Sequence, residues 1–133
     1  MIYFEAKDFP EGGLEATGQD VTAHVPEETP WRVYKLYGDK DGSIIVKGAG
    51  YGDAVRVGSG DGDAVRRGAR NGYGNALRYG SGDGDAVRRG YGGGNAVRSG
   101  SGKGDAQRSG KGKGHARRWG SGKGNAYING VKQ

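Results

Sequence analysis

From residue 48 to residue 129, small and variable positions alternate along the chain. The alternation is organised in a ten-residue unit, glycine-x-glycine-x-glycine-(Asp/Asn)-alanine-x-arginine-x, and its clearest copy is GSGDGDAVRR at residues 58–67. Successive side chains of an extended strand point to opposite faces, so this pattern predicts strands. A short fixed period in turn predicts a solenoid. Eight copies align on their alanines, which are Ala54, Ala64, Ala76, Ala86, Ala96, Ala106, Ala116 and Ala126.

The glycine and alanine positions are the sterically restricted ones, and we expect them to point inward. The predicted fold class is all-β, a narrow β-solenoid of about eight ten-residue coils stacked about 4.8 Å apart, as paired strands are. An antiparallel meander stays open as an alternative. The third copy spans twelve residues, 68–79, and predicts an outward bulge at Ala69 and Arg70. The Asp or Asn at the sixth position predicts a corner with left-handed backbone.

The first 47 residues have a more conventional pattern. Residues 2–6 are rich in strand-forming residues, and residues 9–29 contain loop-forming Gly and Pro around one candidate strand at 21–25. Residues 31–37 and 43–47 flank a glycine-containing turn, which predicts a β-hairpin. We therefore predict an N-terminal β-rich cap at 1–47, the repeat solenoid at 48–129 and a tail at 130–133.

Composition limits what kind of core the chain builds. With 31 glycines, 32% apolar residues and a mean hydropathy of −0.83, an ordinary side-chain core is not expected. There is no cysteine, and two histidines do not make a Cys/His zinc site. The start, MIYFEAKDF, has no apolar run of the length of a signal peptide or membrane span. We expect a soluble protein without membrane association, not classically secreted, either cytoplasmic in a host cell or virion-associated.

The net charge of +6 is unevenly distributed. Residues 1–47 contain five Lys and Arg against nine Asp and Glu, and residues 48–133 contain sixteen against six, which gives −4 and +10. A basic surface favours anionic partners.

Arginine occupies the ninth position in seven of the eight copies, and Ile128 replaces it in the last. Stacked at the strand spacing, like charges repel. One alternative is that carboxylates of the sixth position separate them, and the other is that the column binds phosphate through its guanidinium groups. The seven ladder arginines are Arg56, Arg66, Arg78, Arg88, Arg98, Arg108 and Arg118. The candidate carboxylates are Asp53, Asp63, Asp85 and Asp105.

The late copies add further basic residues with aromatic residues among them. Trp119 and Tyr127 are the aromatic residues. Basic residues attract a nucleic-acid backbone and aromatic rings stack on its bases. The alternative is a solvated charged face, with Trp119 and Tyr127 covering the last coil or contacting a partner or a second copy. The added basic residues are Lys103, Lys111, Lys113, Arg117 and Lys123.

Three resemblances accompany this pattern. Residues 58–66 resemble the calcium-binding RTX nonapeptide, with Asp63 and Val65 at its Asp and apolar positions, but Ser59 and Asp61 replace its second and third glycines. That resemblance implies calcium as the only candidate cofactor. The glycine-rich decapeptides as a whole are similar to uncharacterised short-repeat proteins of bacteriophages and prophages. They are also similar to insect ice-binding proteins with ten-residue coils, although those use Cys and regular Thr or Tyr.

No catalytic motif is recognisable, and no enzymatic activity is expected. We predict a non-enzymatic protein, phage-encoded, that presents its arginine ladder and late lysines to an anionic partner, either nucleic acid or a nucleoprotein complex. The alternative is a structural or adhesive module: a phage tip, a receptor or glycan binder, or a rod that assembles by end-on stacking of copies. An ice-binding protein fits less well, because the repeat contains no threonine.

Overall fold

The structure is a computed structural model that describes residues 1–133. It contains fourteen strands and one short 3-10 helix, Ala6–Asp8, and no helix has the length and apolar character needed to cross a bilayer. The strands are β1 (Ile2–Glu5), β2 (Leu14–Glu15), β3 (Val21–His24), β4 (Val33–Tyr37), β5 (Ile44–Gly48), β6 (Asp53–Val57), β7 (Ala64–Gly68), β8 (Ala76–Tyr79), β9 (Ala86–Gly90), β10 (Ala96–Ser99), β11 (Ala106–Arg108), β12 (Ala116–Trp119), β13 (Ala126–Ile128) and β14 (Val131–Lys132).

The chain alternates between two sheets as it advances. Sheet A has the order β1-β3-β5-β7-β9-β11-β13-β14, and sheet B has the order β2-β4-β6-β8-β10-β12. Every neighbouring pair is parallel except β13 and β14, which pair antiparallel. A chain that returns to the same sheet in the same direction on each turn is a β-solenoid. The all-β class and the solenoid are therefore confirmed, and the meander is not formed.

One coil contains two decapeptides, so the predicted coil of one decapeptide is wrong. Ala76 pairs with Ala96, and Ala96 pairs with Ala116, twenty residues further along. The solenoid accordingly has about six coils rather than eight, one for each strand of sheet B. The physical reason is that a decapeptide supplies only one strand and one turn. Two of them are needed to enclose an interior.

The N-terminal residues form coils of the same solenoid instead of a hairpin. β4 pairs with β2 and β6, and β5 pairs with β3 and β7, so the predicted pairing of residues 31–37 with 43–47 does not occur. In these coils Ile44 takes the place of an inward alanine, in register with Ala64, and Val46 aligns with Arg66. Residues 38–47 are therefore a divergent decapeptide.

The interior changes character along the axis. The N-terminal coils enclose a cluster of twelve buried apolar residues, in which the ring of Phe9 meets those of Phe4 and Tyr34 edge-on, each at 5.3 Å between centroids. In the later coils the apolar core is only a column of six alanines, from Ala76 to Ala126, with Ile128 against it. The apolar residues of the first 47 positions thus close one end of an interior that contains few apolar side chains.

The sixth position of the repeat connects coils rather than forming left-handed corners. The Asp85 backbone N–H donates to Asp63 Oδ1 at 2.8 Å, and the Asp105 N–H donates to Asp85 Oδ1 at 2.8 Å. The non-glycine residues with positive φ are Glu28, Arg70 and Asn129, none of them at the sixth position. Asp and Asn are selected there because their side-chain oxygen accepts a bond from the next coil.

The inward glycines are required by close backbone approach. A Cβ on Gly74 would lie 1.7 Å from the Gly52 carbonyl oxygen and 2.8 Å from Arg66 Nε. A Cβ on Gly93 would meet only the Tyr73 ring within 3.1 Å, at the far end of an exposed side chain that can move. Neither glycine has a positive φ. A methyl group at Gly74 would therefore clash with backbone, whereas one at Gly93 would clash only with a movable side chain.

We expect Gly74→Ala to lower the free energy of unfolding by about 3 kcal/mol or more, because neighbouring coils must separate to accept the methyl group. Gly93→Ala is the matched control and should cost less than about 1 kcal/mol. Urea denaturation followed by far-UV circular dichroism measures both. Equal stability of the two variants would contradict the packing described here.

Candidate functional site: the arginine ladder and the exposed cations

The arginine ladder lies inside the solenoid and not on its surface. The ninth position shares its face with the inward alanine of the seventh, because side chains two apart on a strand point the same way. Arg118, in the last coil of sheet B, is half-buried. The expectation of an exposed ladder is therefore corrected. The other six, Arg56, Arg66, Arg78, Arg88, Arg98 and Arg108, are 0 to 2% exposed.

Each guanidinium donates to two backbone carbonyls of the preceding decapeptide and to the carbonyl of the residue that follows it. Arg88 Nε donates to the Gly74 carbonyl at 2.7 Å, its Nη2 donates to the Gly72 carbonyl at 2.8 Å, and its Nη1 donates to the carbonyl of Arg89. All seven arginines repeat this arrangement. The carbonyls that accept from Nε belong to Gly42, Gly52, Gly62, Gly74, Gly84, Gly94 and Gly104.

No carboxylate pairs with the ladder. The two ion pairs in the structure join His24 to Glu5 at 3.0 Å and Arg70 to Glu27 at 2.8 Å. Neither aspartate bridging nor a vacant phosphate site therefore describes the ladder, because carbonyl oxygens occupy the guanidinium donors.

The buried guanidinium groups keep their charge at neutral pH. Burial lowers the pKa of Arg66, Arg78 and Arg88 to about 10, in each case because the charged form is taken out of water. A pKa near 10 still leaves these groups protonated at pH 7. Of the 21 Lys and Arg, the six buried arginines leave 15, which equals the 15 Asp and Glu. The basic character of the chain thus comes from its interior.

The predicted late cations are exposed, but on different sides. Residues 100–105 and 120–125 cross from sheet B to sheet A, which we call the B-to-A edge, and Lys103 and Lys123 lie on it one coil apart. Residues 110–115 cross in the other direction, on the A-to-B edge, and carry Lys111 and Lys113. The two edges flank the outer faces of both sheets. The outer face of sheet A between them carries Tyr127, and we call it, with the four edge lysines, the lysine-bordered face.

Arg117 and Trp119 lie apart from Tyr127. Both project from the outer face of sheet B, with the Arg117 guanidinium carbon 5.9 Å from the centre of the Trp119 ring. Tyr127 belongs to β13 in sheet A and is half-buried. The two predicted aromatic contact residues are thus not brought together.

Sequence reasoning missed a second basic column, on the outer face of sheet A. Lys47, Arg67 and Arg89 occupy the tenth position of every second decapeptide, are aligned strand to strand, and are exposed. Their signal is a period of twenty residues. This period of twenty residues is not visible when each decapeptide is compared only with the one next to it.

Side chains that bind metal ions do not assemble in groups of three or more. The sixth-position carboxylates that resemble the RTX motif, such as Asp63 and Asp85, accept backbone N–H bonds from the next coil. Comparison of the chain with protein-family models, with curated proteins and with solved structures found no match.

We expect Arg78→Met to destabilise the protein by about 4 kcal/mol or more. Methionine fills similar space but leaves the buried carbonyls of Gly60 and Gly62 without a donor, at a cost of about 1–3 kcal/mol each, besides the loss of packing. Arg67→Met removes the same charge from the outer face and should change stability by less than about 0.5 kcal/mol.

Arg78→Lys tests whether the positive charge or the planar arrangement of donors stabilises the coils. Lysine restores a cation but not the planar fork of donors, so its stability should fall between those of Arg78→Met and the unchanged protein. Chemical denaturation measures all three variants. A stable Arg78→Met protein would contradict the structural role of the ladder.

Proposed function

We propose that the protein is a non-enzymatic binding module, phage-encoded, whose last coils bind an anionic partner, either nucleic acid or a nucleoprotein complex. The observation that carries this proposal is a change of charge within one surface column. The fourth position on the B-to-A edge is Asp61 and Asp83 in earlier coils and Lys103 and Lys123 in the last two. The backbone is the same in all four coils.

The fold does not require lysine at these positions. Each of these side chains is exposed, and neither lysine forms an ion pair. Like charges one strand spacing apart destabilise a sheet, so the lysines have a cost that an anionic partner would offset. Lys111 and Lys113 border the same face from the A-to-B edge, with Tyr127 between the two edges. This arrangement suits phosphates at the rims and a base against the tyrosine.

The ladder arginines are not part of this surface. Their N–H groups donate to backbone carbonyl oxygens, so their contribution to partner binding is to stabilise the coils that carry the lysines. Arg117 and Trp119 lie on sheet B and belong to the second candidate below. The binding residues that support the proposal are Lys103, Lys111, Lys113 and Lys123, with Arg67 and Arg89 further along sheet A.

We expect the protein to bind a fluorescein-labelled single-stranded DNA 20-mer with an affinity that falls steeply as salt increases. Lys103→Gln/Lys123→Gln should weaken binding and lower the slope of log K against log salt by about 1.4, or about 0.7 for each phosphate that the protein no longer neutralises. Fluorescence anisotropy at several salt concentrations measures both quantities.

The matched control is Lys7→Gln/Lys40→Gln, which removes the same charge from exposed positions in the N-terminal coils. It should leave the salt slope unchanged. Absence of binding at low salt would eliminate the nucleic-acid form of the proposal, and equal weakening in both double variants would show attraction by net charge alone.

A second candidate function is end-on assembly of copies, and the unpaired last strand of sheet B favours it. β13 is covered by β14, whereas β12 has no neighbour on its outer side. An uncovered parallel strand edge is a template for pairing with another chain. Trp119 lies at the end of this strand and is 56% exposed.

Trp119→Ser should convert an assembled species to monomer, because it removes the largest apolar surface beside the open edge. Tyr79→Ser, on the same outer face but two coils away from the end, should leave the assembly unchanged. Sedimentation velocity distinguishes them. A protein that is monomeric at all concentrations contradicts this candidate and leaves the anionic-partner proposal intact.

A further inference from the structure

The chain departs from its repeat at two places that meet in space. One is the irregular segment 25–32 between β3 and β4, and the other is the two-residue insertion near residue 70. The Arg70 Nη1 donates to Glu27 Oε2 at 2.8 Å, which joins the two segments. Glu28 with φ 74° and Arg70 with φ 54° are left-handed although neither is glycine. Backbone strain of this kind persists where surrounding structure enforces it, and it concentrates at functional sites.

Segment 25–32 lines two adjoining cavities, and the insertion near residue 70 lines the second of them. Their volumes are about 580 and 550 Å³, and they share four lining residues, 27–30. Trp31 and Arg32 line the first, and Tyr51 and Asn71 line the second. The two cavities adjoin at residues 27–30 on the A-to-B edge, and we call the pair of cavities together the aromatic groove. Each half has the dimensions of a small-ligand site.

Exposed aromatic rings extend from this groove along the same edge. Trp31, Tyr51, Tyr73 and Tyr91 are each about half exposed, and the Tyr51 and Tyr73 rings lie 6.1 Å apart at 67°. The B-to-A edge uses the same backbone pattern with Ser and Asp or Lys at the corresponding positions. The rings are therefore not needed for folding. A row of large exposed aromatic side chains marks an interaction surface.

The chemistry of the groove favours a neutral polyhydroxyl ligand over a phosphate. Its lining contains three carboxylates, Glu5, Glu27 and Glu28, and three cations, Lys7, Arg32 and Arg70, so the groove has no net charge that would favour an anion. Glu28 forms no ion pair, and its carboxylate can accept hydrogen bonds from a neutral ligand. The faces of aromatic rings carry partial negative charge and attract the C–H faces of sugar rings. The Glu28 carboxylate and the Asn71 amide can bond to sugar hydroxyl groups.

We propose that the aromatic groove is a binding site for a neutral oligosaccharide. Sugar rings pack on Trp31 and Tyr51, their hydroxyl groups bond to Glu28 and Asn71, and further units follow the row toward Tyr73. The site is separate from the lysine-bordered face of the last coils, so the two proposals stand or fall independently.

Trp119→Phe leaves Trp31 as the single tryptophan and therefore as a reporter within the groove. In this background we would titrate chitotetraose, cellotetraose and maltotetraose and follow tryptophan fluorescence. We expect a saturable change with at least one of them and a Kd below about 1 mM. Tyr51→Ala should weaken that binding at least tenfold, and Glu28→Gln should weaken it as well.

Tyr79→Ala is the matched control, since Tyr79 is an exposed tyrosine on sheet B outside the groove. It should bind as the parent does. Circular dichroism shows whether Tyr51→Ala folds, and Tyr73→Ala replaces it if it does not. Lys103→Gln/Lys123→Gln should bind the sugar unchanged, which separates this site from the anionic-partner surface.

The proposal is overturned if none of the three oligosaccharides saturates the signal by about 10 mM. It is also overturned if Tyr79→Ala weakens binding as much as Tyr51→Ala. A groove that instead binds single-stranded DNA or a lysine-rich peptide, with weaker binding in Tyr51→Ala, assigns the rings to another class of partner and rejects the sugar.

Discussion

The structure depends on the bond between a buried guanidinium group and the backbone carbonyls of glycine. Glycine lets neighbouring coils approach until a Cβ would lie less than 2 Å from the next backbone, as at Gly74 and Gly104. Because the coils lie so close, their carbonyl oxygens face an interior without water, where each oxygen needs a hydrogen-bond donor. Arginine carries five N–H donors in one plane and no acceptor. Glycine and arginine therefore recur together because each satisfies what the other creates.

The same bond accounts for the change of interior along the axis. At the N-terminal end the ninth position is Leu36 and Val46, and the interior is filled by apolar side chains such as Tyr34. One coil later these columns continue as Arg56 and Arg66. Apolar side chains fill space, whereas arginine also bonds the carbonyls that the narrower glycine coils expose. The first coils thus supply hydrophobic burial, and the later ones are held by polar bonds.

Period-two alternation was enough to predict strands, a thin interior and a solenoid. The same alternation puts the ninth position on the face of Ala64 and Ala86, but only the glycines and alanines were expected to point inward, and carboxylates or phosphate were expected to meet the arginine charge. Every residue has a backbone carbonyl, so the sequence carries no signal that carbonyl oxygens would solvate the buried guanidinium groups. The coil length was recoverable, since Tyr51 and Tyr73 alternate with Asp61 and Asp83 every second copy. The hairpin expectation failed because parallel pairing over twenty residues leaves no local turn signal.

An interior built from the odd positions of the repeat leaves the even positions under weaker constraints. The sixth position connects coils, and at the fourth position Asp83 accepts the Lys103 backbone N–H at 2.9 Å, but the side chains of the fourth position are exposed, and exchanging aspartate for lysine there disturbs no bond of the arginine ladder. The two edges of the rod can therefore diverge in chemistry on one backbone, as the tyrosines of one and the aspartates and lysines of the other do. The two breaks in the repeat, at Glu28 and Arg70, lie on the aromatic edge. The irregular backbone thus coincides with the aromatic groove, whereas the B-to-A edge keeps the regular repeat in every coil from Ser59 to Lys123.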